Sequence, residues 1–534
     1  MTKQLYNKTG SLFRFILRRD RIRIPIWLLS LSVVTFAVAN AFTDLYSSQQ
    51  ERQTIAETMM NPAMTAMVGK GYGLDNYTNG AMMAHQMLLF TALVVGIMSI
   101  LLVARHTRAD EEDGRIELIR SLPAGRLSHL HATILVISGT NVLLALVIGF
   151  GLHALGIESM NLEGSLLYGA ALGATGIFFT AITAVFAQIS ENSRGTIGLS
   201  FGVLGISYLV RAVGDVGTET LSWFSPLGWV LSAEVYVNNY WWPILLTIVV
   251  SIILIILALY LNAIRDLESG FLPAKNGKKF AHPLLQSPLG LTLRLQRTGM
   301  IAWAIGMFIL GVSYGSVLGD LESFFENMDI MEDLLTPVEG FSLTEQFITM
   351  LMSIMAMICT IPALMAILKL IGEERKNRTE HLLALAISRT GLINSSLLVS
   401  IVVAFIMLSL TAIGLWGAGS AVMDDPIPFG TLYGAAMAYL PAMWIMIGIT
   451  VLLVGIAPKF TGFVWLYLTY SFVVVYLGGL LQFPEWLSHL SPYRHISQLP
   501  VEDIDFMKAS VLTTIAIVAM LIGFVGYNKR DISG

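Results

Sequence analysis

Charge is scarce in this chain. Of its 534 residues, 13% are Asp, Glu, Lys or Arg and 55% are hydrophobic, with a mean hydropathy of +0.71. Soluble proteins carry about 25% charged residues, so the deficit implies an integral membrane protein. The net charge of −4 supplies no basic field suited to nucleic acid. A single cysteine, Cys359, excludes an intrachain disulfide and any multi-cysteine metal site. The phosphate loop G-x-x-x-x-G-K-[ST] is missing, since Gly69-Lys70 lacks the upstream glycine. The chain therefore cannot hydrolyse ATP in that way. There is no HExxH motif and no clustered His/Asp set, so no catalytic and no metal residue is assigned. Gly198-Leu-Ser200-Phe-Gly202 matches G-x-S-x-G, but that pattern needs a strand–turn–helix setting and here it lies in an apolar helical run. Gly198 and Gly202, like Gly169/Gly173 and Gly311/Gly315/Gly319, are expected to let helices approach closely.

What is abundant is long apolar sequence. A bilayer core takes about 20 apolar residues per helix. Twelve stretches qualify: 24–43, 82–104, 132–155, 165–188, 196–213, 242–264, 300–319, 346–370, 392–417, 430–456, 462–482 and 509–528. The basic N-terminus runs into the first of these without the short apolar run and small-residue cleavage site of a signal peptide, so the first span is read as uncleaved. Lys and Arg set the orientation. With both termini in the cytoplasm, 27 of the 32 basic residues fall in cytoplasmic segments. Arg52, Lys70, Arg494 and Lys508 fall outside, and Arg211 lies near the outer end of span five. The expected outer loop 320–345 carries eight carboxylates and no Lys or Arg.

The two halves echo each other. At an offset of 263, Glu111 meets Glu374, Arg115 meets Arg378, Glu117 meets Glu380, Leu122 meets Leu385 and Arg126 meets Arg389. Arg18, Arg21 and Trp27 match Arg294, Arg297 and Trp303 at 276, Gly169 matches Gly434 at 265, and Ser225-Pro226 matches Ser491-Pro492 at 266. These echoes imply an all-α membrane protein. Residues 1–264 and 291–534 form two parallel six-span halves, related by a pseudo-twofold along the membrane normal, with 265–290 as a cytoplasmic linker. Each half opens on a basic amphipathic stretch, FRFILRRDRIR and LTLRLQRTG, suited to lie in the interface. Each has a Pro-, Trp- and Tyr-rich outer segment before its last span, read either as short dipping helices or as an aromatic belt.

Between spans two and three lies a charged block, Leu102–Arg126, whose relative is Glu373–Arg389. Asp110–Leu122 favours one helix, with acids in its first turn where the helix dipole suits them and Pro123-Ala-Gly125 as its stop. Ile116, Ile119 and Leu122 form an apolar stripe, leaving Arg115, Glu117 and Arg120 for a partner. The run R-x-x-E-E-x-G-R-x-E-L, Arg108–Leu118, resembles the segment after the second span in ABC-2-type permeases. The twelve-span layout and the Ser-Pro-Leu-Gly-Trp of Ser225–Trp229 resemble the exporters of polyketide antibiotics, the tetronasin type. The resemblance implies a coupling helix that docks into a separate ATPase subunit. It would use Glu111, Glu112, Arg115 and Glu117, and in the second half Glu373, Glu374, Arg378 and Glu380. It also implies two ATPase copies holding ATP and Mg, no cofactor in this chain, and outward export of an antibiotic- or drug-like amphiphile across a bacterial plasma membrane, with a part in antibiotic resistance. The second copy departs from the pattern at Asn377, where the first has Gly114, and at Ala386, where it has Pro123.

An ion-coupled secondary transporter of six plus six spans is the alternative. No Asp or Glu falls in the middle of a span, which counts against proton coupling but leaves sodium coupling through backbone carbonyls open. Candidates for a substrate path are Asn141 in mid-span, Arg211, and Met350 and Met357 of a Met-rich span eight. Asp215 stands one turn from Arg211 as a structural partner.

Overall fold

The computed structural model describes residues 2–60, 62–266, 269–272, 280, 282–320, 343–384, 387–423, 425–476, 484–499, 501–502 and 505–531. Among these, regular structure is helical apart from one isolated bridge, Ser190 to Leu272. The chain divides into two compact units, Met1–Asn276 and Gly277–Gly534.

Unit 1 holds six long helices: Arg23–Leu45, Asn79–Ala104, Ser128–Ala154, Leu162–Ile189, Ser193–Val216 and Trp242–Ile264. The fourth is the most enclosed and packs on the second, third and sixth. Its glycines explain why. A Cβ on Gly169 would lie 2.1 Å from the Ala145 carbonyl oxygen, and one on Gly176 would lie 1.9 Å from Asn141 Oδ1. Glycine alone lets the third helix come this close. Asn161 and Asn192 start the fourth and fifth helices by accepting from the Gly164 and Gly195 amides at 2.7 Å, a cap worth about 1 kcal/mol each.

Unit 2 holds Pro288–Gly315, Leu343–Glu374, Arg389–Val422, a pair of helices Phe429–Met437 and Leu440–Ile456, and Phe506–Lys529. Gly311 and Gly315 of the first meet the Thr411 and Leu415 carbonyls, where a Cβ would stand at 2.2 and 2.4 Å.

Several expectations change. Among the described residues, eleven helices are long and apolar enough to cross a membrane, and the twelfth expected stretch is described only in part. Of the stretch 462–482, the described part forms the helix Phe463–Tyr476. Residues 477–483 lie outside the described residues, as do the acidic loop 321–342, Leu385 and Ala386. The amphipathic stretch of unit 1 is a separate helix, Thr9–Arg19, ended at Asp20. In unit 2 the corresponding stretch is instead the first turns of Pro288–Gly315, because no residue interrupts it. The tenth stretch is broken at Ala438-Tyr439, ahead of Pro441. Among the described residues, a Cβ on Gly198 or Gly202 would meet nothing within 4 Å, so neither sits at a close helix approach within unit 1.

Candidate functional site

The expected helix Asp110–Leu122 is two pieces. After Ala104 the second span makes a π-turn, Arg105–Ala109, and ends with Asp110–Glu112. The chain then reverses through Gly114 at φ 71° into the short helix Arg115–Arg120. The acidic residues therefore close the span and are not the first turn of the short helix. Gly114 explains the break, since positive φ is costly for most L-residues and free for glycine. In unit 2 Glu374 ends the span, Asn377 turns at φ 57°, and Arg378–Leu383 is the short helix. Asn tolerates this region better than other side chains, so Asn377 serves the same turn as Gly114.

Beneath the short helix of unit 1 is a buried ionic network. Arg108, 1% exposed, donates through Nε to the Ala187 carbonyl and through Nη2 to Ser269 O at 2.9 Å, and its Nη1 lies 3.2 Å from Glu111. Glu111 also meets Arg265 at 2.9 Å, and Arg126 donates to the Arg265 carbonyl at 2.7 Å. Asp110 takes both Arg19 nitrogens at 2.5 and 2.7 Å and Arg115 at 2.8 Å. His106 contacts Asp20. Glu112 accepts from the Ser193 amide and hydroxyl, both at 2.7 Å, at the start of the fifth long helix, where the helix dipole favours a carboxylate. The end of span two is thereby tied to the leading helix and to the ends of the third, fourth, fifth and sixth long helices. The N-terminal residues join in. Gly125 donates to Asn7 O and Leu127 to Leu5 O, both at 3.0 Å. A Cβ on Gly125 would stand 2.2 Å from Leu5 O.

The matching residues of unit 2 make a sparser version. Arg530 meets Glu374 at 2.6 Å and Arg389 donates to the Arg530 carbonyl at 2.8 Å, as Arg126 does to Arg265. Glu373 holds Lys369 and Arg378, each at 3.2 Å. Ile371 stands at the position of Arg108 and Gln296 at that of Asp20.

A family model described as "multidrug efflux system permease Rv1217c, C-terminal domain" matches residues 10–261 and 285–528. The chain belongs to this multidrug efflux system permease family. It is 36% identical over 536 residues to the multidrug efflux system permease protein Rv1217c of Mycobacterium tuberculosis (strain ATCC 25618 / H37Rv), covering 99% of this chain and 96% of that protein. The protein is thus a multi-pass membrane permease of the efflux kind, a transport subunit and not an enzyme. The family shown is that of the multidrug permease, whereas the polyketide-exporter resemblance is not what the comparison names.

In this permease Glu117, Leu118 and Leu122 stand exposed on and after the short helix, Leu118 at 71%, and Glu380 is exposed on its counterpart. Glu111, Glu112, Glu373 and Glu374 are held by partners within the chain. Arg115 and Arg378 are exposed but paired. A cavity of about 40 Å³ beside the network, lined by Glu111, Arg126, Asn262 and Arg265 among others, has room for water only. Asn141 and Arg211 belong to unit 1, and Met350 and Met357 to unit 2. Asn141 is buried, donating to Ser99 Oγ and Ile137 O at 3.0 Å, and so fastens the third long helix to the second. Arg211 is fully buried, 3.2 Å from Asp215, and also donates to the carbonyls of Thr65, Ala66 and Met67 at the end of helix Pro62–Val68. Met357 lies in the core of unit 2, and Met350 packs partly buried against it. Sequence reasoning missed Asp20, Arg19 and Arg265. The signal available was one acid within a strongly basic leading stretch.

Proposed function

We propose that this permease is the membrane-spanning subunit of an ATP-driven ABC-2-type exporter. Two separate ATPase copies, each holding ATP and Mg, dock on Arg115–Arg120 and Arg378–Leu383. The observation that carries the reading is an exposed short helix seated on a network that ties it to several spans, together with a chain that has no phosphate loop. The Glu374–Arg530–Arg389 wiring repeats Glu111–Arg265–Arg126 and supports two repeated six-span halves, with the stretch 462–482, which opens on Phe463–Tyr476, as one of the twelve crossings. The basic residues around both networks support cytoplasmic termini in a bacterial plasma membrane. The relative's name supports export of drug-like amphiphiles, including antibiotics. Coexpression of an ATPase encoded beside the permease tests it: copurification and ATP-dependent export are expected, and ion-driven export by the permease alone would overturn it.

Ion-coupled transport is the second reading, favoured by one observation, the buried Asp20–His106–Asp110 cluster. It ranks lower because Arg19 and Arg115 already occupy Asp110.

A further inference from the structure

At the end of unit 2 remote from Arg389 and Arg530 lies a cavity of about 310 Å³. It is lined by Gly434, Met437, Pro441, His495, Asp505 and Phe506, among others. Two of its lining residues differ from their counterparts in unit 1. Pro441 stands where unit 1 has Gly176, at the offset of 265, and lies just past the break in the tenth stretch. Proline has no N–H, so Pro441 cannot donate to the Met437 carbonyl four residues before it. His495 stands where unit 1 has Trp229, at the offset of 266. Trp229 fills its place, edge-on to Phe178 with centroids 6.4 Å apart and its indole N–H on Trp223 O at 2.6 Å. His495 instead turns to His489, bonding its carbonyl at 2.7 Å. The paired glycines show the same contrast. Gly169 is closed against Ala145, whereas a Cβ on Gly434 would meet nothing within 4 Å.

We infer that this cavity is a binding site for amphipathic amines in their protonated form. Its volume is at the small end of the ~300–1,000 Å³ range of small-molecule sites. Met437, Pro441, Ile496 and Phe506 offer an apolar wall, and methionine adapts to varied shapes. The Asp505 carboxylate is the acceptor for an ammonium head. Among the described residues that line the cavity, Asp505 is the one acid and there is no Lys or Arg. Asp505 also caps Phe506–Lys529, accepting from Met507 and Lys508 amides at 3.0 and 3.1 Å, with Lys508 Nζ at 3.4 Å from its other oxygen. The ammonium therefore competes with one exposed lysine for that oxygen.

This inference rests on the exporter reading for its physiological sense, but its test needs neither ATP nor an ATPase. The full chain in phosphatidylcholine nanodiscs is titrated with dansylcadaverine, a fluorescent amphipathic amine, and with its uncharged N-acetyl derivative. Saturable binding of the amine is expected. Gly434→Phe fills the cavity from a position where a Cβ meets nothing, and should raise Kd at least tenfold. Gly434→Ala, a smaller filling, should have an effect in between. Asp505→Asn keeps the helix cap, since Asn caps as well as Asp, and should raise Kd about fivefold for the amine while leaving the N-acetyl compound unchanged. Equal binding by wild type and Gly434→Phe would overturn the site. Equal weakening of both probes by Asp505→Asn would overturn the charge recognition, as would displacement of the amine by added phosphatidylcholine alone. Cavity binding without ATP-dependent export would instead count against the exporter reading and leave the site standing.

Discussion

Arg108→Met measures how firmly the network under the first short helix is held. The substitution keeps an apolar stem and removes the guanidinium. The Ala187, Gln188 and Ser269 carbonyls lose a donor, and Glu111 loses the Arg108 cation but keeps Arg265 at 2.9 Å. Breaking a buried ion pair by removing one partner costs about 3–5 kcal/mol. Because Arg265 stays on Glu111, the lower end, about 3 kcal/mol, is expected. At roughly 2–4 °C per kcal/mol for a unit of this size, the melting temperature in detergent should fall by about 6–12 °C. Arg378→Ala is the control. Arg378 is 52% exposed and pairs with Glu373 at 3.2 Å, and exposed pairs contribute about 0–1 kcal/mol. Its melting temperature should stay within about 4 °C of the wild type by the same conversion. Thermal unfolding followed by intrinsic tryptophan fluorescence reads both. Equal shifts, or an Arg108→Met protein that melts with the wild type, would refute the claim that this arginine is a buried clamp.

Arg211→Ala should reduce the amount of folded protein in membranes, because three carbonyls of the 62–68 segment lose their donor; normal abundance with selective loss of anionic cargo would restore Arg211 as a substrate residue. Gly311→Ala should destabilise by about 1–3 kcal/mol, since its Cβ would sit 2.2 Å from the Thr411 carbonyl. Gly198→Ala should be neutral or gain up to about 1 kcal/mol of helix propensity, and paired melting curves test both glycines. Glu117→Ala should lower transport-stimulated ATP hydrolysis more than Glu380→Ala, because the first short helix rests on the more densely buried network; equal losses would contradict this.

The apolar runs were legible because a span needs little besides length and hydropathy, and most of the expected spans lie within a few residues of a helix. The charged blocks were legible as special, but their internal geometry was not. Local helix propensity runs through Asp113-Gly114, and only the φ of 71° at Gly114 shows that Asp110–Glu112 end a span. The partners of Glu111 and Glu112 were out of reach as well, because Arg265 lies 154 residues from Glu111 and Ser193 lies 81 residues from Glu112. Asn377 read as a departure from the pattern because identity, not backbone conformation, is what a sequence displays. The Gly198/Gly202 expectation failed for a related reason. Small residues four apart permit a close approach, but only the neighbours decide whether a helix comes.

The central claim is that two short helices pass the work of a separate ATPase to the spans. ATP-driven export is measured in proteoliposomes holding the permease and a separate ABC ATPase that copurifies with it, and compared with the Glu117→Ala/Glu380→Ala double variant. Export that requires ATP is expected, with export and stimulated hydrolysis both nearly lost in the double variant while the protein stays folded in the membrane. Undiminished export by the double variant, or full export driven by an ion gradient without the ATPase, would contradict it.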